Sequence, residues 1–319
     1  MSSMEVISSR RRVALVALIG AMPLMWGPRL HAQSQRAIVW HTESAGIQPD
    51  VLGSLQRSLA GVLPVSYRSL DRARLREVEP GVGVQVVLGS RTLREWVAAR
   101  QRMPEWLAST PVFAGLLPRA PYEAMARALP AGSSAVWLDQ PEERYFALLA
   151  RAFPRQRRVG VLSGPQLQTR VPELEAAARQ AGWRLALSPL VQTVRDLPLA
   201  LNAVLDKSDV LLALPDPAVF RNETLLNILI ASYRQRVPLV GYTESQVRSG
   251  AALGLYTRLT DVSRQLTDGL IAWLAGGRLP APAPAFRGAV AINAQVARSL
   301  DLELPDESIL ENSLLGGRP

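Results

Sequence analysis

From Ala37 onward, short apolar runs alternate with stretches in which apolar side chains recur every three or four positions, the pattern of strands alternating with amphipathic helices. Ala37-Ile38-Val39-Trp40 reads as a strand, and residues 49–61 as a helix carrying Val51, Leu52, Leu55 and Leu59 on one face. Residues 62–66 predict a second strand, 70–78 a helix, and 84–88 a third strand ending in Gly89-Ser90. A helix over 91–102 and a strand over 111–117 follow.

The same alternation then restarts. Helices are expected over 142–153, 171–182 and 197–205, and strands over 158–162, 185–191 and 209–214. The last of these is almost wholly apolar, as a strand buried on both faces should be. Asn222 is placed to cap a helix running to Arg236, residues 238–241 form a strand, and 245–250 a short helix. Asp261 is placed to cap a long helix ending at Gly276-Gly277, before a stiff connector with Pro280, Pro282 and Pro284. Two successive blocks of this kind imply an α/β protein of two doubly wound, parallel-sheet lobes. Ligands of such sheets gather beyond the carboxyl ends of the strands, and that rule selects the candidate residues.

Composition narrows the class. The 319 residues are 48% hydrophobic and 20% charged, enough apolar material for one large core or two smaller ones. Of the net charge of +9, residues 1–32 carry +3 (Arg10, Arg11, Arg12 and Arg29 against Glu5), which leaves +6 for the rest. The remaining basic side chains, all Arg except Lys207, are scattered among acids, and no basic stripe or reading motif for nucleic acid appears. Arg10-Arg11-Arg12, the apolar stretch over 13–25 and Leu30-His31-Ala32 read as an export signal cleaved after Ala32. The apolar stretch is too short for a comfortable membrane span; an uncleaved anchor is the plainer alternative. A periplasmic location follows from the export reading.

Much catalytic chemistry is missing. The chain has no Cys and two His, of which His31 would leave with the signal, so His41 is the one imidazole of the processed chain. A zinc site would have to rely almost entirely on carboxylates, and no G-x-S-x-G, P-loop or H-E-x-x-H occurs. Gly81-Val82-Gly83 precedes its strand and lacks the third glycine of a dinucleotide fingerprint. Glu43, Asp139, Asp216 and Glu244 all follow strands, so carboxylate catalysis stays open, but no site with named roles can be assembled. Neither cofactor nor metal is expected, and the chain is read as a non-enzyme.

The second half carries a series of segments with a family character. Arg158-Val159-Gly160-Val161-Leu162, Ala181-Gly182 and Asp209-Val210-Leu211-Leu212-Ala213-Leu214-Pro215-Asp216 begin it. Val237-Pro238-Leu239-Val240-Gly241, Ser249-Gly250-Ala251, Ile292-Asn293-Ala294-Gln295-Val296-Ala297 and Leu300-Asp301-Leu302-Glu303-Leu304-Pro305 continue it. Together they resemble the ABC-transporter substrate-binding family that includes the tryptophan- and tyrosine-type binding proteins. The resemblance covers Ser134 to the C-terminus, and 37–118 only as a strand–helix pattern. It implies the type I periplasmic-binding-protein fold with three crossings between lobes, near Asp139, Tyr256-Thr257 and residues 284–286. The expected lobes are then 33–138 with 257–284, and 139–256 with 285–319. Relatives usually carry Gly-Gly-Asn-x-Thr-Gly before the first crossing; here Pro130-Ala131-Gly132-Ser133-Ser134-Ala135-Val136 lacks the Asn and Thr. Aromatic amino-acid specificity is therefore not carried over.

Capture between lobes calls for polar groups at strand ends, helix N-termini for an anion, and aromatic walls. Ser44 follows the first strand, and Ser90, Arg91 and Thr92 open a helix after the third. Each also reads as a simple cap or a solvated side chain. Asp139 and Gln140 sit at the first crossing, where Asp139 could meet a ligand ammonium or cap the helix after Pro141. Asp216, held between Pro215 and Pro217 after the most apolar strand, is expected at the cleft edge. Tyr242 and Tyr256 could stack on a ligand or be half-buried core; Trp137 and Trp183 read as core. The leading expectation is a monomeric exported protein that delivers a small organic solute, an amino-acid-like molecule being one candidate, to an inner-membrane ABC permease. A sensory module docking on a signalling receptor is the alternative, and an exported carboxylate-dependent enzyme the third.

Overall fold

The computed structural model describes residues 36–42, 49–70, 75 and 78–314. The export segment, Glu43, Ser44 and most of the helix expected over 70–78 lie outside the described residues.

The first block runs β1 (Arg36–His41), α1 (Pro49–Leu59), β2 (Val65–Ser69), β3 (Val82–Leu88), α2 (Ser90–Ala99), α3 (Glu105–Ala108), β4 (Val112–Leu117), α4 (Arg119–Met125) and β5 (Ser134–Trp137). The second runs α5 (Glu142–Ala152), β6 (Arg158–Val161), α6 (Val171–Gln180), β7 (Arg184–Leu187), α7 (Leu197–Leu205), β8 (Val210–Leu212), α8 (Asn222–Arg234), β9 (Leu239–Gly241), α9 (Glu244–Ser249) and β10 (Leu253–Tyr256). The chain then forms α10 (Leu259–Gly276), β11 (Ala283–Pro284), β12 (Ala289–Ile292), α11 (Ala294–Ser299) and α12 (Glu307–Leu314).

These strands build two six-stranded sheets, ordered β2-β1-β3-β4-β5-β11 and β7-β6-β8-β9-β10-β12. Every neighbouring pair is parallel except β10 with β12. Both are doubly wound, with the strand order reversing beside β1 and β3 in one sheet and β6 and β8 in the other. Alternation along the strands explains the two-sided cover. Ala37 and Val39 face one core cluster while Ile38 and Trp40 face the other. Val210 and Leu212 likewise oppose Leu211.

Three segments cross between the sheets: from β5 to α5, from β10 to α10, and from β11 to β12. Helix α10 comes back onto the first sheet, where Val262, Leu266, Leu270 and Trp273 pack with Val84, Val86 and Phe113. The crossings are sewn together by Gln140, which is 1% exposed. Its Nε2 donates to Thr257 Oγ1 at 2.5 Å and to the Arg287 carbonyl at 3.1 Å, and its Oε1 accepts from Arg144 at 2.6 Å. Arg144 also donates to the carbonyls of Ala285 and Phe286, and Thr257 to that of Leu138. One glutamine thus contacts residues of all three crossings.

Several boundaries differ from the sequence pattern. Helix α8 begins at Asn222 itself, so that Arg221 holds the capping position, and the Arg221 N–H donates to Thr224 Oγ1 at 2.9 Å. Helix α10 starts two residues before Asp261, which lies in its first turn. Strand β7 stops at Leu187, ahead of Pro189, which has no N–H to continue a ladder. Helices α3 and α4 and strand β5 are too short to stand out as periodic runs.

Candidate functional site

A cavity of about 390 Å³ lies where the carboxyl ends of β4 and β5 face the start of α5 and one side of α6. At the end of β4 the pairing with β5 slips by one residue, and Leu116 adopts φ 57°, a left-handed conformation rare for a side chain of this size. Pro118 then leads directly into α4, whose first residue is Arg119.

Arg119 is the centre of the arrangement. Its Nε donates to Glu123 at 2.7 Å, and its Nη1 and Nη2 fork onto the two carboxylate oxygens of Glu173 at 2.9 and 3.3 Å. Glu173 lies in the first turn of α6, so this ion pair runs from the first sheet's layer to the second's. The guanidinium also sits 5.8 Å from the ring centroid of Trp137. Burial works against its charge, but the hydrogen bonds to Glu173 and Glu123 outweigh that and raise its pKa.

Beneath this layer lies a buried ionic cluster. Asp139 Oδ2 accepts the Arg119 backbone N–H at 2.6 Å, and its Oδ1 accepts from Arg170 at 3.3 Å. Arg170 Nε donates to Glu142 at 2.9 Å, with a second contact from Nη2. All three side chains are at most 8% exposed. Asp139 therefore caps the N-terminus of α4, twenty residues earlier in sequence, and not the helix that follows it. Burial raises its carboxyl pKa, with the Arg119 N–H and the Arg170 charge pulling the other way.

Asp216 is equally committed. Its carboxylate accepts three backbone N–H groups, from Gln166 at 2.8 Å, Leu167 at 3.1 Å and Ala218 at 2.9 Å, and it is 3% exposed. It clamps the turn after β6 to the turn after β8. Gly164 makes room for it, since a Cβ there would stand 2.3 Å from the Asp216 carboxyl carbon. The expectation of an Asp216 side chain offered to a ligand thus gives way to a turn clamp. Gln140, with both polar atoms engaged at the crossings between the sheets, has the same standing.

At the start of α2, Gly89 takes φ 87°, a conformation open to glycine, and no side chain caps the helix. Ser90 is half-buried; Thr92 is fully buried, its Oγ1 3.1 Å from Thr42 Oγ1 at the end of β1. Arg91 points to the surface and pairs with Glu95 at 3.0 Å. Of this group Ser90 alone combines a polar side chain, partial exposure and the carboxyl end of β3.

Tyr242, at the end of β9, meets Phe220 edge-on with centroids 5.7 Å apart. Burial pushes its hydroxyl up to about 12; a hydrogen bond with Gln246 opposes this, and the charges of Asp139 and Asp216 add to it. Tyr256 lies at the second crossing, its pKa raised by burial and by Glu244. Its neighbour Arg258 reaches Glu311 of α12 at 2.5 Å.

The structure thus gathers Asp139 and Gln140 at the cavity but adds Arg119, Arg170 and Glu173, which the sequence pattern did not mark, and Trp137, which it marked only as core. Trp137 is half-buried, packing against the core of the first sheet on one side and lining the cavity on the other, whereas Trp183 is 4% exposed. Arg119 was within reach of the strand-end rule, two residues beyond β4. A larger hollow, about 1200 Å³, runs between α5 and α10 beside the third crossing, but none of the sequence candidates lies on it. Among the described residues no group of three or more His, Cys, Asp or Glu could hold a metal ion, and no helix is long and apolar enough to cross a membrane.

No protein-family model matches the chain, and no curated protein matches it significantly. Solved structures do. A conserved domain protein from Vibrio cholerae is 19% identical, with a TM-score of 0.56 over 87% of this chain and 98% of its own. An ABC domain in complex with L-Trp from Streptococcus pneumoniae is 14% identical, TM-score 0.55, over 86% and 98%. The ligand-free, open form of a substrate-binding protein with adhesive properties from Clostridium difficile is 12% identical, TM-score 0.63, over 85% and 96%. At these identities the likeness establishes the fold, an α/β architecture of two largely parallel six-stranded sheets shared with periplasmic-binding-protein structures.

Proposed function

We propose that the chain is a solute-binding protein that closes its two lobes around one small organic molecule. The observation that carries this reading is a cavity of about 390 Å³ lined from one side by the strand ends of the first sheet at Arg119 and Trp137 and from the other by α5 and α6 of the second block, with three crossings joining the two sheets. A cavity of that size lies within the range of small-molecule sites and could hold a molecule of amino-acid dimensions. In this reading residues 33–138 with 257–284 form one lobe, and 139–256 with 285–319 the other. Arg119 and Trp137 meet the ligand from the first lobe. Tyr242 and Ser90 lie outside the lining of the cavity and reach the ligand in this reading only as the lobes close, Ser90 with the uncapped start of α2. Asp139, Gln140 and Asp216 hold the framework.

A ligand touching both lobes stabilises the closed arrangement by its differential affinity for it; one touching a single lobe does not. No residue is assigned a catalytic role. Export by the segment over 1–32 and delivery to an inner-membrane ABC permease complete the proposal, supported by the shared fold and by the sequence resemblance.

The test is a thermal-shift screen of amino acids, small peptides, nucleosides and organic acids. A ligand at a hundredfold excess over its dissociation constant should stabilise the protein by about 2.7 kcal/mol, and small-angle scattering should show a smaller radius in its presence. A tight ligand that leaves the radius unchanged would overturn the closure mechanism. Delivery predicts that deleting the gene abolishes uptake of that ligand by intact cells.

A further inference from the structure

Arg119 and Glu173 have the geometry of a binding site already occupied. The guanidinium forks onto both carboxylate oxygens, the arrangement in which Arg recognises carboxylates on other molecules. The carboxylate comes from the opposite sheet's layer, and both partners line the cavity. Their exposure differs sharply from that of the ionic cluster below. The Arg119 and Glu173 side chains are 24% and 50% exposed, against 8% and 5% for Arg170 and Asp139. The upper pair is therefore cheap to exchange, while the lower one is fixed by the cost of leaving a buried charge unpaired. Arg119 does not depend on Glu173 for its position. Glu123 holds Nε, Asp139 holds the backbone N–H, and the Trp137 ring lies under the guanidinium.

We propose that Glu173 is an internal stand-in for the ligand's anionic group, and that the solute captured here carries a carboxylate that takes its place on Arg119. The inference rests on the solute-binding reading and narrows it to one ligand class. Displacement leaves the cation paired and returns a half-exposed Glu to solvent, so one carboxylate replaces another with no buried charge created. The exchange also ties ligand entry to lobe position, because the contact broken is one that joins the lobes.

The experiment uses the full chain, as wild type, Glu173→Gln and Arg119→Gln. Each is titrated by calorimetry with a panel of small monocarboxylates, aliphatic, aryl and α-amino, each matched to its primary amide. Glu173→Gln should bind at least one acid about fivefold more tightly than wild type, the most that a partly exposed ion pair is worth. Arg119→Gln should lose that acid, and the matched amide should respond to neither substitution. Acids that bind wild type and Glu173→Gln equally, or amides that bind as well as acids, overturn the stand-in. If an uncharged solute from the wider screen closes the lobes regardless of either substitution, the stand-in fails while the receptor reading stands. If no solute shifts stability or radius in any of the three proteins, both fail.

Discussion

Gln140→Leu separates a hinge residue from a ligand residue. The substitution keeps the volume nearly constant and removes three hydrogen bonds, to Thr257, to the Arg287 carbonyl and from Arg144. Two of the partners keep other contacts: Thr257 still donates to Leu138, and Arg144 to Ala285 and Phe286. The Arg287 carbonyl loses its donor. Two neutral hydrogen bonds at roughly 1 kcal/mol each and one to a charged donor at about 2 kcal/mol are lost, and the extra apolar burial returns about 1 kcal/mol. The expected fall in stability is about 3 kcal/mol, read as a lower urea midpoint at unchanged slope in the absence of any ligand. A cycle with Thr257→Val should give a coupling energy above about 0.5 kcal/mol. A ligand contact would behave differently, since its loss weakens binding and leaves the ligand-free protein as stable as before. An unliganded midpoint within about 0.5 kcal/mol of wild type, where surface substitutions commonly fall, would refute the hinge assignment.

Two further outcomes follow from buried polar groups. Gln85 is fully buried in β3; its Oε1 accepts from the indole N–H groups of Trp40 and Trp96, both at 3.0 Å, and its Nε2 donates to the carbonyls of Leu107 and Thr110. Gln85→Leu strands both indoles and the Thr110 carbonyl, and should cost at least about 4 kcal/mol in urea unfolding; a midpoint near wild type would mean those groups find other partners. Tyr242 should titrate near pH 12, visible as phenolate absorbance lost in Tyr242→Phe. Its folded pKa lies above the unfolded value, so its stabilisation is complete below pH 10 and disappears as pH rises from 10 to 12. Loss of stability over that window should be smaller in Tyr242→Phe than in wild type.

Apolar periodicity carried most of the architecture, because a strand covered on both faces leaves a dense run such as Asp209 to Leu214 in the sequence. The rule that polar groups gather at strand ends picked out positions of which Asp139 and Gln140 lie at the cavity. What it could not do is tell which way such a group is turned. Asp139 and Asp216 occupy strand ends, yet each is consumed by N–H groups of the protein's own turns, from residues 20 and up to 50 positions away. Gln85, within the third strand, is buried against two indoles. Trp137 reads as core, and it does pack on the core, but its other side faces the cavity. The signal for Arg119 was local, a strand followed by Pro and Arg, but the β4 bulge that ends the strand there involves a left-handed leucine that no periodicity anticipates.

The difference between a framework residue and a binding residue is the free energy of unpairing it. Asp139, Gln140 and Asp216 are at most 5% exposed, and releasing any of them would strand a partner in the interior at about 1–3 kcal/mol for each neutral group and more for a charge. A guest would have to replace every one of those contacts at once. Glu173, half in solvent, leaves at a cost below about 1 kcal/mol, and the Arg119 it uncovers keeps its orientation through Glu123, Asp139 and Trp137. A site that must bind and release needs a preorganised charge with an easily displaced partner, and among the sequence candidates and their neighbours around the cavity Arg119 meets both conditions.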